Sequence, residues 1–107
     1  MGEREFIIYL DPQERLNHYR HYHAWQGNQI TEFRIQYEAF IGDEWHPIAR
    51  YDTAHGKPHR DFLHPDGTET KEWFTLYSNA EILTIGQRDI VENWQSYRAR
   101  YESEMRQ

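Results

Sequence analysis

The chain has no cysteine, which rules out a disulfide framework, thiolate metal sites and a cysteine nucleophile and fits a cytoplasmic setting. Long hydrophobic runs are missing as well. Nothing approaches the roughly 20 apolar residues of a membrane-crossing helix, and the N-terminus has no signal-peptide pattern, so no membrane partner is expected. Glycine-rich phosphate loops, a Walker motif, a G-x-S-x-G elbow and zinc-finger spacings are all absent. Positive charge is scarce: 12 Lys and Arg face 18 Asp and Glu, a formal net charge of −6. Broad, sequence-independent nucleic-acid binding relies on a basic surface that releases counterions, so the balance argues against it while leaving room for a small local site.

What the chain does hold is aromatic. Only 37% of its residues are hydrophobic, yet 16% are aromatic, with four Trp and eight Tyr, so a core of few, large side chains is implied rather than disorder. A length of 107 residues suits a single domain, 1–107, with one sheet and one or two helices. Seven histidines draw the net charge towards neutrality below a pH of about 6.5, where solubility falls.

Turn signals divide the first two thirds into short strands. Glu5 to Leu10 is an apolar run ended by Asp11-Pro12, a first strand of ambiguous register or an anchoring N-terminal segment. The stretch His18 to Trp25 precedes a Gly27-Asn28 turn, and Ile30 to Ile41 then alternates with Phe33, Ile35, Tyr37, Ala39 and Ile41 on one face. Gly42-Asp43 leads into Trp45 to Tyr51, and Pro65-Asp66-Gly67 separates segments holding Arg60-Phe62 and Trp73-Phe74. After Asn79 the period changes: Ile90, Trp94, Tyr97, Tyr101 and Met105 fall on one helical stripe. Thr84 with Gln87 offers a capping box, Asn79 is a rival start, and Gly86 weakens the first turn. The expected fold is α+β, an antiparallel β-meander of about five strands packed against a C-terminal α-helix.

Chemistry concentrates between Arg50 and Asp61, where His55, His59, Asp52, Asp61, Arg50, Lys57 and Arg60 surround one glycine-proline turn. Arg50 and Asp52 share a strand face, as do His59 and Asp61 on the next strand, so a hairpin can bring Asp52, His55 and His59 together around one cleft at an end of the sheet. Two site chemistries fit, beside the plain one of an Arg-Asp ion pair with solvent-exposed loop histidines. In the first, His55 and His59 act as base and acid on a ribose 2′-hydroxyl and a leaving 5′-oxygen, Asp52 orients an imidazole, and Arg50, Lys57 or Arg60 holds the phosphate; this is RNA cleavage with no metal or other cofactor. In the second, His55, His59 and Asp61 ligate zinc, iron or manganese with a position open to water.

A second cluster, His18, His21 and His23, is interleaved with Tyr19, Tyr22 and Trp25, and His21, Tyr22 and His23 are its partner-binding candidates. On a strand, His21 and His23 face the same way as Tyr19 and Trp25 and make a surface suited to stacked bases or to a partner chain. The helix stripe reads as core.

The run Arg50-Tyr51-Asp52-x-x-His55-Gly56-x-x-His59-x-Asp61 resembles the R-Y-D-x-x-H-G pattern of small prokaryotic proteins of the TumE-like toxin group and of a related family of uncharacterised domains. Pro65-Asp66-Gly67, Asn93-Trp94, Tyr97 and Tyr101 extend the resemblance across most of the chain, from about Phe33 to Tyr101, and bring it closer to the uncharacterised family. The resemblance implies a toxin-antitoxin component directed at RNA, with a cognate antitoxin or a second copy as partner, and adds Tyr51 to Arg50, Lys57 and Arg60 as substrate-binding positions. In the TumE-like pattern the glycine is followed by K-G-D-H-x-H; Gly56-Lys57-Pro58-His59-Arg60-Asp61 substitutes proline and ends in aspartate. The competing readings are therefore a metal-independent endoribonuclease, a non-catalytic toxin-antitoxin accessory or interaction domain, and a metal-dependent enzyme.

Overall fold

A computed structural model describes residues 1–107, the side chain of His55 excepted. Six strands, β1 (Gly2–Tyr9), β2 (Asn17–Gln26), β3 (Gln29–Ile41), β4 (Glu44–Asp52), β5 (His59–Leu63) and β6 (Glu69–Trp73), follow one another in a single sheet. Every neighbouring pair is antiparallel. One helix, α1 (Asn79–Met105), closes the chain, so the fold is the expected α+β meander. The strand count exceeds the expected five because β1 is a full strand. Its Phe6-Ile7-Ile8 run does not alternate, and as the edge strand it leaves Ile7 and Ile8 both exposed, so periodicity had no single buried face to report.

Turn chemistry sets the register of the clearest hairpin. Gly42 and Asp43, both at positive φ (59° and 65°), link Ile41 to Glu44, the backbone required of a two-residue turn that matches the twist of its strands. With β3 so placed, Phe33, Ile35, Tyr37 and Ala39 are buried on one face, while Glu32, Arg34, Gln36 and Glu38 lie on the other.

Helix α1 covers the apolar face, lying over β3 and β4. It begins at Asn79, the rival start, and not at Thr84, with Ser78 as its N-cap: the Ser78 hydroxyl accepts from the Glu81 amide at 3.1 Å and the Glu81 carboxylate accepts from the Ser78 amide at 2.9 Å, a complete capping box. Thr84 and Gln87 sit inside the helix. Ile82, Leu83, Gly86, Ile90 and Tyr101 are buried against Phe33, Ile35, Tyr37, Ile48 and Tyr51, and Trp94 and Tyr97 are half-buried at the margin; each large side chain so covered contributes roughly 1.5–3 kcal/mol. Met105 drops out of the expected stripe and is exposed. Gly86 has a packing role: a Cβ there would stand 2.7 Å from Ile35 Cδ1 and 2.8 Å from Tyr51 Cγ, so glycine lets the helix backbone approach the sheet. Among the described residues no helix is long and apolar enough to cross a membrane.

Candidate functional site

The strand register decides where the motif residues go. β4 and β5 pair Asp52 with His59, Tyr51 with Arg60 and Arg50 with Asp61, and directly opposed residues share a face. Arg50, Asp52, His59 and Asp61 therefore gather on the face opposite α1, while Tyr51 and Arg60 turn towards the helix. β3 adds Arg34 opposite Asp52, and β6 adds Lys71 opposite Asp61 and Trp73 opposite His59.

On the open face the His59 Nε2 stands 2.8 Å from Asp52 Oδ1 and 3.4 Å from Asp61 Oδ2. Its Nδ1 is 3.1 Å from the Lys57 carbonyl oxygen. Lys71 Nζ lies 2.8 Å from Asp61 Oδ1, and the hydrogen bond to that carboxylate raises the lysine pKa. Arg50 Nη1 is 3.9 Å from Asp61 Oδ2 and Arg34 Nε is 4.0 Å from Asp52 Oδ2. The Trp73 ring packs 4.7 Å from the imidazole, centroid to centroid. Under this cover His59 is 1% exposed, Asp61 2% and Asp52 6%. Polar contacts continue across the sheet: Arg50 Nε donates to Gln36, Gln36 to Glu38, and Glu38 also meets His18 and Arg20. Burial pushes the Glu38 carboxyl up, but these donors outweigh it and hold the group below its usual value.

The same side chains brace the loop at residues 53–58. Asp52 Oδ1 accepts the Ala54 amide at 3.1 Å, opening the 3-10 turn Ala54–Gly56, and Gly56 at φ 88° donates back to the Thr53 carbonyl. His59 holds the far end through the Lys57 carbonyl, and Phe74 N–H caps the Pro58 carbonyl. Exposed Gly56 and Lys57 then wall a cleft of about 500 Å³, closed by Asn28 and Gln29 from the β2–β3 turn and by Tyr77, Ser78 and Asn79 at the start of α1.

On the helix side, Tyr51 donates its hydroxyl to Asp89 Oδ2 at 2.6 Å, and Tyr97 and Asn93 donate to Asp89 Oδ1 at 2.5 and 2.8 Å. Burial first, and then the bond to Asp89, pushes both tyrosine hydroxyls well above their ordinary range. Arg60 Nη1 donates to the Tyr51 hydroxyl at 3.3 Å, and its Nη2 pairs with Glu72 at 2.6 Å.

The candidate residues thus sort differently from the sequence expectation. Asp52 and His59 do converge, but as buried groups at the strand ends rather than as exposed loop side chains, because Trp73 from β6 and Arg34 from β3 fold over them. Both His59 nitrogens are turned inward, Nδ1 to the Lys57 carbonyl and Nε2 to Asp52 and Asp61, so neither is presented to a substrate as acid or base. The side chain of His55 lies outside the described residues, which leaves the expected His55-His59 pairing and the His55, His59, Asp61 ligand set outside them too. Among the described residues, the three metal-type groups whose ligand atoms come together, within 4.8 Å of one another, are Asp52, His59 and Asp61. Of the substrate-binding candidates, Arg50 is on the open face, Lys57 on the loop, and Tyr51 and Arg60 are bonded to Asp89 and Glu72 on the opposite face. Lys71, Trp73, Arg34 and Asp89 were missed. Lys71 and Trp73 had a signal, since they alternate after the Pro65-Asp66-Gly67 turn and so must lie opposite Asp61 and His59 once that hairpin is paired.

The second cluster also divides. His21 is buried, stacked on Phe6 at 4.3 Å, with Gln87 Nε2 3.1 Å from its Nδ1 and His23 Nδ1 2.7 Å from its Nε2. Burial, reinforced by His23 and Arg4, lowers its pKa to about 4. Tyr22 points to the other face, where its bond to Glu32 at 2.6 Å, with burial and Glu3 beside it, pushes the hydroxyl up to about 12.

Over residues 1–107 the chain matches the model of a domain of unknown function, DUF7718, and it belongs to that family. No curated protein and no solved structure matches it.

Proposed function

We propose that this domain is a small toxin-like endoribonuclease whose reacting groups stand on the loop at residues 53–58, with Asp52 and His59 positioning that loop instead of touching substrate. The observation that carries this reading is the bracing itself. Two buried motif side chains hold the two ends of a short loop that exposes Lys57 to a cleft of about 500 Å³, and a rigid scaffold presenting an exposed loop is the usual arrangement of a binding site. In this role His55 takes the proton of a ribose 2′-hydroxyl as that oxygen bonds to phosphorus; the bond to the 5′-oxygen breaks, and the leaving oxygen takes a proton from water. Lys57 neutralises phosphate charge. The resemblance to TumE-like proteins supports RNA as the target and an antitoxin as the partner, and the lack of cysteine accords with the cytoplasm.

The test is cleavage of end-labelled RNA across about pH 5 to 9, where His55→Ala should lower the rate by about 10² to 10⁴ and Lys57→Ala should weaken it less. Unchanged cleavage by His55→Ala, or none by the wild type freed of any partner, overturns the enzymatic reading. A net charge of −6 together with a His59 imidazole turned inward on both nitrogens favours, as the second reading, a non-catalytic interaction domain, and the absence of cleavage would promote it.

A further inference from the structure

We infer that Asp52, His59 and Asp61 form a binding site for one divalent transition ion, with zinc and manganese as the fitting members. The inference concerns the buried centre beneath the loop and stands apart from the ribonuclease reading.

It starts from the two nitrogens of His59. The Lys57 carbonyl can only accept a hydrogen bond, so the Nδ1 at 3.1 Å carries a proton and donates it. Nε2 then faces two more groups that only accept when ionised, Asp52 Oδ1 at 2.8 Å and Asp61 Oδ2 at 3.4 Å. A single proton on Nε2 can point at one of those oxygens; a cation placed among the three atoms satisfies all of them. The two spacings to Nε2 are close to the roughly 2.9–3.5 Å that separates ligands bonded at about 2.0–2.2 Å around a tetrahedral or octahedral ion, and all three ligand atoms lie within 4.8 Å of one another.

The outer contacts have the pattern that orients metal ligands. A ligating histidine commonly donates its other ring N–H to a backbone carbonyl, as His59 does to Lys57. Each carboxylate also gives one oxygen to the centre and turns the other to a cation: Asp52 Oδ2 faces Arg34 at 4.0 Å, and Asp61 Oδ1 faces Lys71 at 2.8 Å. Arg50 Nη1, 3.9 Å from Asp61 Oδ2, and the Ala54 N–H on Asp52 Oδ1 complete the surroundings. One imidazole with two carboxylates is a borderline donor set that suits zinc, manganese or iron better than magnesium or calcium, which take oxygen throughout.

The experiment is isothermal titration of EDTA-treated protein with zinc chloride and with manganese chloride, alongside melting curves. One ion should bind per chain and raise the melting temperature by several degrees. Asp52→Asn and His59→Ala should each weaken that binding at least tenfold, and His23→Ala and His64→Ala, which alter histidines elsewhere, should not. Since His59→Ala can also unfold the centre, Asp61→His provides the discriminating variant. It keeps a ligand while removing the anion that Lys71 and Arg50 contact, so retained binding by Asp61→His with loss in a folded Asp52→Asn supports the site. No stoichiometric binding to the wild type, or binding unchanged in Asp52→Asn, overturns it. None of these readouts involves RNA, so failure of the ribonuclease reading and failure of the metal site remain distinguishable.

Discussion

Tyr51 and Asp89 meet at 2.6 Å, hydroxyl to carboxylate, joining the middle of the Arg50-Tyr51-Asp52 motif to helix α1. The motif is thereby split across the sheet: Arg50 and Asp52 supply the open face, while Tyr51 anchors the layer behind it. Tyr51→Phe keeps the ring in the core and removes the donor. Asp89 retains Tyr97 and Asn93, so the loss should be moderate, roughly 1–3 kcal/mol for a hydrogen bond to a charged group. Urea unfolding of the variant and the wild type measures it.

Gly86→Ala is expected to destabilise, against its helix propensity. In a helix interior alanine gains about 1 kcal/mol over glycine, but here its Cβ would stand 2.7 and 2.8 Å from Ile35 and Tyr51. Both neighbours are fully buried, and overpacking of a closed core costs typically 1–3 kcal/mol. The net effect should be a lower urea midpoint. A rise in the midpoint would mean that the helix can slide away from the sheet.

The meander was legible because β3 alternates cleanly and its hairpin turn is written in Gly42-Asp43, whereas β1 was uncertain because Ile7 and Ile8 are both exposed on an edge strand. Of the two helix starts the sequence offered, Asn79 is the one the structure has, and the capping box at Thr84 competed with it for a similar reason. Thr84 and Gln87 satisfy the same four-residue spacing as Ser78 and Glu81, and only tertiary packing shows that Gly86 is a contact instead of a boundary. At the candidate site, the pairing of Asp52 with His59 was readable from strand alternation. Its burial was not, because the side chains that cover it, Arg34, Lys71 and Trp73, come from two other strands and carry no motif.

Acid should loosen the β1–β2 side of the domain through His21. Burial, with help from His23 and Arg4, lowers its pKa from 6.5 to about 4, so between these values the unfolded chain binds a proton that the folded chain does not. Stability contributed by neutral His21 is therefore fully present above about pH 6.5 and is lost progressively as pH falls towards 4. The contacts agree: the Gln87 amide donates to Nδ1, which leaves Nε2–H to donate to His23, and a second proton would break the first of these bonds. Melting curves from pH 7 down to about 4 should show a decline that His21→Gln, which cannot titrate, makes shallower.

His59→Ala should be among the most damaging single changes in the chain. The imidazole lies within 3.4 Å of two carboxylates that are themselves almost fully buried, and it also holds the Lys57 carbonyl at the end of the motif loop. Removing it leaves Asp52 and Asp61 facing each other with their shared partner gone, Asp52 keeping only Arg34 at 4.0 Å and the Ala54 N–H, and Asp61 keeping Lys71 and Arg50. Leaving a buried carboxylate without one of its partners costs about 3–5 kcal/mol, a large part of the roughly 5–15 kcal/mol that holds a typical domain together. The loss should exceed that of His64→Ala, whose imidazole bonds Glu104 and Thr70 nearer the surface. Denaturant unfolding of both variants measures the difference. Equal stability in the two would show that His59 contributes no more than an ordinary surface histidine, and the account of the motif as a brace for its own loop would fail with it.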